Sequence, residues 1–88
     1  MTTPAVTAAR RDLAHAELVA AAWVEYTAAA GGRRPTRWTP SAARDQWVAT
    51  VHQVHTERGG GWGARAFIAR AAGVHHETIA RALKHDTP

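Results

Sequence analysis

Cysteine is absent from this 88-residue sequence, and Ser41 is the only serine. Without thiols the chain can form neither disulfides nor a thiolate metal site, which fits a reducing compartment. The longest apolar run extends from Leu18 to Val24, far short of the roughly 20 residues that a membrane span needs. The N-terminal residues also lack the basic and then apolar order of a secretory signal. We therefore expect a cytoplasmic protein with no membrane partner.

The carboxylates of the chain do not form pairs at a spacing useful for catalysis, and the most suggestive run of catalytic residue types is His75–Glu77. Neighbouring residues on a helix point about 100° apart, so this trio cannot converge on one atom. His52 and His55 are three residues apart, but zinc requires further ligands, and we expect both to be half-solvated surface residues. These absences predict that the protein is not an enzyme and holds no metal or cofactor.

Positive charge is a marked feature of the composition. The net charge is +4, and arginine supplies ten of the eleven basic residues. A net positive charge favours an anionic partner, which for so small a chain is most often nucleic acid. The planar guanidinium of arginine donates paired hydrogen bonds to phosphate or guanine. Abundant arginine, alanine and glycine are also typical of a GC-rich genome.

The pattern of helix formers and breakers predicts a single all-α domain over residues 1–88. A long first helix is expected because its segment is rich in alanine and contains no breaker. Thr39 is the predicted N-cap of the second helix, and Pro40 suits its first position. A glycine-rich break at 58–63 precedes two short helices. The four predicted helices cover residues 6–30, 39–58, 64–72 and 76–85.

The first helix carries an apolar arc wider than one core contact requires. Either the helix packs under two other helices, or part of the arc forms a homodimer interface. At 100° per residue the arc divides into two neighbouring faces. The first face comprises Val6, Leu13, Ala16, Ala20 and Val24, and the second comprises Val19, Trp23 and Tyr26.

The segment 31–38, with the sequence GGRRPTRW, is predicted to be a loop by its glycines and proline. It resembles the Gly-Arg-Pro core of an AT-hook, which enters the DNA minor groove, although it has an extra arginine and occurs once. Arg33, Arg34 and Arg37 are therefore candidate contacts to the minor groove or to phosphates. The alternative is a solvated basic turn.

Residues 65–84, with the sequence RAFIARAAGVHHETIARALK, fit two helices that cross closely around a tight turn. Ala69 is small where the second helix must approach, and Gly73 permits a left-handed backbone at the end of the first. The side chain of Val74 is positioned to fill the space inside the turn. This is the helix-turn-helix plan. The residues expected to fill the angle between the helices are Ile68, Ala72, Ile79, Ala82 and Leu83.

Within this stretch, about twenty of the 88 residues resemble the helix-turn-helix of the lactose-repressor family. That family places this motif ahead of a sugar-binding domain, which this chain lacks, so no small-molecule effector is implied. His75 stands where the family usually has a serine, which weakens the expected N-cap by about 1 kcal/mol. The matching positions are Ala72, Gly73, Val74, Thr78, Ile79 and Arg81.

The resemblance implies that the second helix of the motif lies in the DNA major groove. It assigns base-edge contacts to His76, Glu77 and Arg81. Chemically, Arg81 can fork onto guanine and Glu77 can accept from cytosine. The alternative for Glu77 is a favourable charge at a helix N-terminus. The implied or supporting phosphate contacts are His75, Thr78, Lys84, Arg65 and Arg70.

Together these features predict a sequence-specific protein for double-stranded DNA, acting by site occupancy as a small repressor or a phage or plasmid accessory factor. Such a protein would be associated with the bacterial nucleoid when bound. One recognition helix reads few base pairs, so we expect a homodimer on two half-sites. The alternative is a helical protein-interaction module, an adaptor or inhibitor, that does not bind DNA.

Overall fold

The computed structural model describes residues 4–31 and 41–85, and these residues form helices and turns, with no strand among them. The predicted all-α class is therefore confirmed. In chain order the helices are α1 (Pro4–Ala29), α2 (Ala42–Glu57), α3 (Gly61–Ala72) and α4 (His76–Lys84).

The second helix begins later than its predicted start at residue 39. Its N-cap is Ser41, whose Oγ accepts a hydrogen bond of 3.0 Å from the backbone N–H of Arg44. The serine hydroxyl thus satisfies one of the donors that the first turn of a helix leaves unpaired. Thr39 and Pro40, the predicted start signals, lie outside the described residues.

The third helix begins earlier than predicted, inside the glycine-rich run. Residues 58–60 alone separate α2 from α3, which starts at Gly61. Glycine has a low helix propensity, but tertiary packing commonly overrides propensity. Here Ala64 and Ile68, one and two turns into α3, are buried and anchor it.

Two central helices, α2 and α3, lie between the other two. Both α1 and α4 pack against α2 and α3, whereas no Cα atom in the described part of α1 lies within 8 Å of a Cα atom in α4. The core lies where the four helices meet. Its largest fully buried side chains are Trp47, Ile68, Ile79, Val19, Val48, Val51 and Val54.

The apolar arc of α1 is divided between core and solvent. The Val19 and Tyr26 face is buried against α2 and α3. The other face remains open: Val6 is 43% exposed, Leu13 61% and Val24 62%. Packing under two helices therefore accounts for one face of the arc and leaves the large side chains of the second face exposed.

Arg58, at the turn after α2, ties α1 to α3. Its Nη1 donates to Asp12 Oδ1 at 2.7 Å and to His15 Nδ1 at 3.4 Å, and its guanidinium lies 3.6 Å from the centre of the Phe67 ring. The hydrogen bond from Arg58 holds the pKa of Asp12 below its ordinary value. One cation therefore contacts three side chains from two other helices.

His15 is a polar side chain buried on the core face of α1. Its Nε2 donates to Glu57 Oε2 at 2.9 Å, at the end of α2. Hydrogen bonds to the carboxylate, first from Gln53 and then from His15, lower the pKa of Glu57. With Nδ1 facing the Arg58 donor, the arrangement suits a neutral imidazole protonated at Nε2.

Candidate nucleic-acid interface

A three-residue turn, Gly73 to His75, joins α3 to α4. Gly73 adopts φ 72° and ψ 36°, the left-handed conformation expected of it. The next N–H, that of Val74, donates to the carbonyl of Ala69 at 3.0 Å, and the Val74 side chain packs against the core. The predicted roles of Gly73 and Val74 in the turn are confirmed.

His75 is the N-cap of α4. Its backbone is extended, with φ −72° and ψ 148°, and its Nδ1 accepts from the backbone N–H of Glu77 at 3.2 Å. The carbonyl of His75 also accepts from the N–H of Thr78 at 3.0 Å. An imidazole thus performs the capping that a serine hydroxyl performs elsewhere, and it does so only while Nδ1 carries no proton.

The inner face of α4 is apolar and completes the core. Ile79 and Ala82 are fully buried, and Leu83 is partly buried against the same cluster. This face fixes which side chains α4 turns outward, because residues three and four apart share a side of a helix. The angle between the helices is thus filled by residues that the sequence predicted for it.

The outer face of α4 is polar and borders an open groove of about 410 Å³. Glu77, Arg81 and Lys84 are exposed there, and the small Ala80 between them leaves room for close approach. Arg81 also acts on Tyr26 of α1: burial raises the pKa of the Tyr26 hydroxyl, while the charges of Arg44 and Arg81 lower it.

Three aromatic rings stand together at the N-terminal end of α4. The His75 and His76 ring centres are 4.1 Å apart, and the Trp62 ring lies 5.1 Å from that of His76. Trp62 is 64% exposed. Sequence reasoning missed Trp62, because the glycine run that surrounds it indicates only a break between helices. An aromatic residue in an exposed glycine run was the available signal.

The other residues predicted to contact phosphates differ in their exposure to solvent. Arg70 is exposed on α3, while Arg65 and Thr78 are half-buried. The structure therefore brings Glu77, Arg81 and Lys84 together along one groove. Arg65 and Arg70 belong to the neighbouring helix. The basic loop residues Arg33, Arg34 and Arg37 lie outside the described residues.

His52 anchors the C-terminal end of α4. Its Nε2 donates to the carbonyl of His85, the C-cap residue, at 2.9 Å. His55, three residues later on α2, is half-buried against Gly60. Across residues 4–31 and 41–85 there is no group of three or more His, Asp or Glu side chains placed to hold a metal ion.

Comparison with known proteins adds no assignment: no protein-family model, curated protein or solved structure matches this chain. None of the helices in the described parts of the chain is long and apolar enough to cross a membrane.

Proposed function

We propose that the protein binds double-stranded DNA sequence-specifically, with α4 in the major groove. The observation that carries the proposal is the outer face of α4, where Glu77, Arg81 and Lys84 stand exposed on a helix held by α2 and α3. The nine residues of α4 extend about 13 Å at 1.5 Å per residue. An α-helix with its side chains is about 10 to 12 Å in diameter, which fits a groove about 12 Å wide.

Each side chain on this face has a role that its chemistry supports. Arg81 donates a fork of hydrogen bonds to guanine, and Glu77 accepts from the amino group of cytosine. His76 reads a base at the first position of the helix, while Lys84 binds a phosphate as a point charge. The proposed supporting phosphate contacts are His75, Thr78, Arg65, Arg70, Arg33, Arg34 and Arg37.

The proposed biological role is occupation of a DNA site, as a small repressor or a phage or plasmid accessory factor. The likeness of residues 65–84 to the lactose-repressor-family motif supports this role, as does the net charge of +4. A homodimer on two half-sites would extend the few base pairs that one α4 reads.

Fluorescence anisotropy with labelled duplexes at two or more salt concentrations tests the proposal. After a preferred site has been selected from random duplexes, Arg81→Ala should weaken binding to it by about 1 to 3 kcal/mol and relax the sequence preference. Lys84→Ala should weaken binding to all duplexes alike and reduce the salt slope by about one. Arg11→Ala removes the same charge from the exposed surface of α1 and serves as the matched control.

A folded protein whose DNA affinity is negligible, or does not fall as salt rises, would contradict DNA binding and favour a protein-interaction module. Equal losses in Arg81→Ala and Arg11→Ala would instead show that only net charge matters. In that case the assignment of α4 as the reading helix would be wrong.

A further inference from the structure

The N-terminal part of α1 projects beyond the core. Every residue from Pro4 to Arg11 is exposed, and the first buried residue of the helix is His15. Two turns of helix that bury so little surface gain little stability from tertiary packing, and intrinsic propensity is a weak source of stability in water. A partner that packs along this segment would stabilise it.

An apolar stripe continues from this projection along the outer side of α1. At 100° per residue, Val6, Leu13 and Val24 fall within about 20° of one another. We call these three residues the α1 stripe. Its members are 43% to 62% exposed, and the small Ala16 and Ala20 lie beside it. Small side chains in such positions allow a second helix to approach closely.

The charges beside the stripe favour a second copy of α1 as its partner. Arg10 and Glu17 are both exposed and flank the same edge of the α1 stripe, one on each side of Leu13 along the helix. A second α1 in parallel register would place like charges together. An antiparallel α1 would instead place Arg10 of each copy within about one turn of the partner's Glu17.

We propose that two copies of the chain form a two-fold symmetric dimer through antiparallel packing of their α1 stripes. With the axis near residue 15, Val6 lies close to the partner's Val24. Leu13 inserts between the partner's Ala16 and Ala20. Each projecting N-terminal segment is thereby covered by the part of α1 that lies over the partner's core.

The dimer has one consequence for DNA recognition, which rests on the proposed function. Two α4 helices related by a two-fold axis would read an inverted repeat. No Cα atom in the described part of α1 lies within 8 Å of a Cα atom in α4, and the α1 stripe lies on the exposed side of its helix. Pairing of the stripes therefore leaves the outer face of each α4 open.

Sedimentation equilibrium across a concentration series, without DNA, tests the dimer. The wild type should reach about twice the 9.5 kDa mass of one chain. Leu13→Glu should lower the association constant at least about tenfold, because it buries a charge at the centre of the interface. Leu18→Glu is the matched control: Leu18 is 47% exposed on the same helix, about 140° away from Leu13 around the axis.

A charge exchange tests the antiparallel register. Arg10→Glu and Glu17→Arg should each weaken association several-fold, and the double variant R10E/E17R should restore it, because every pair across the axis is again opposite in sign. Both positions are exposed, so the fold should survive, and circular dichroism checks that it does.

A monomeric mass at all concentrations would overturn the dimer, as would equal effects of Leu13→Glu and Leu18→Glu. Failure of the double variant to recover would overturn the antiparallel register. A monomer that binds DNA would contradict this dimer alone, whereas a dimer without affinity for DNA would contradict only the proposed function.

Discussion

At the scale of the single residue, Gly73 determines whether α3 and α4 meet at a tight turn. Its φ of 72° lies in the left-handed region, and a Cβ added there would meet no atom within 4 Å. Any cost of a side chain is therefore conformational. Gly73→Ala should lower the free energy of unfolding by about 1 to 2 kcal/mol, measured by urea denaturation.

Gly63→Ala is a control that should change the free energy of unfolding in the opposite direction. Gly63 lies within α3, has no left-handed backbone, and a Cβ there would also meet nothing within 4 Å. Alanine in a helix is favoured over glycine by about 0.5 to 1 kcal/mol, so this variant should be more stable than the wild type. Equal destabilisation by both variants would contradict the role assigned to the Gly73 backbone.

Residues differ in how far the sequence reveals their environment. Gly73, Ile68 and Ile79 were predictable because a left-handed turn needs glycine and the core needs apolar residues at helical spacing. His15 was not, because its burial depends on Glu57 and Arg58, more than forty residues away along the chain. No local pattern shows that a polar side chain has found such partners.

At the scale of the element, the position of α1 depends on the Arg58 contacts. The Arg58 side chain is only 18% exposed and combines an ion pair with Asp12 and a stacked contact with Phe67. Arg58→Ala should lower the free energy of unfolding by about 1 to 3 kcal/mol, because it removes both contacts and leaves a hydrogen-bonding group of His15 unpaired.

Arg58→Lys separates the effect of the positive charge on stability from that of the planar guanidinium group. Lysine keeps the positive charge but lacks the planar fork, so it should recover less than half of the loss. Urea denaturation of both variants beside Arg11→Ala, an exposed arginine on α1, measures the effect. Full recovery by lysine would show that charge alone holds α1 in place.

Helices were easier to predict than their ends and their orientation. The alanine-rich and periodic segments indicated all four helices. The start of α2 moved to Ser41 because its hydroxyl caps the helix, and α3 began at Gly61, within a run interpreted as a break. Which face of α1 turns inward could not be predicted, because apolar residues occupy both of its faces.

At the scale of the whole molecule, acid should loosen the attachment of α1. Hydrogen bonds hold the folded-state pKa of Asp12 below 3.8 and that of Glu57 below 4.5, their ordinary values. Depressed carboxyl pKa values contribute stability that is complete above the unfolded-state values and is lost as pH falls through the folded-state values. The loss should therefore appear below about pH 4.

Asp12→Asn isolates the contribution of the Asp12 carboxylate to the pH dependence of stability. The wild type should be more stable than the variant at pH 6, and the difference should shrink as the pH is lowered toward 3, because the wild-type carboxyl is then protonated too. Urea denaturation at a series of pH values measures it. A difference that stays constant with pH would contradict the assigned ion pair with Arg58.

The placement of α2 and α3 between α1 and α4 has an evolutionary consequence. The α1 stripe is exposed, and no Cα atom in the described part of α1 lies within 8 Å of a Cα atom in α4. Substitutions in the α1 stripe and on the outer face of α4 therefore act on separate surfaces and should combine additively. A descendant of this chain could therefore change the site that α4 is proposed to read without changing the proposed pairing of its α1 stripes. New specificity would need only a few substitutions on nine residues of helix.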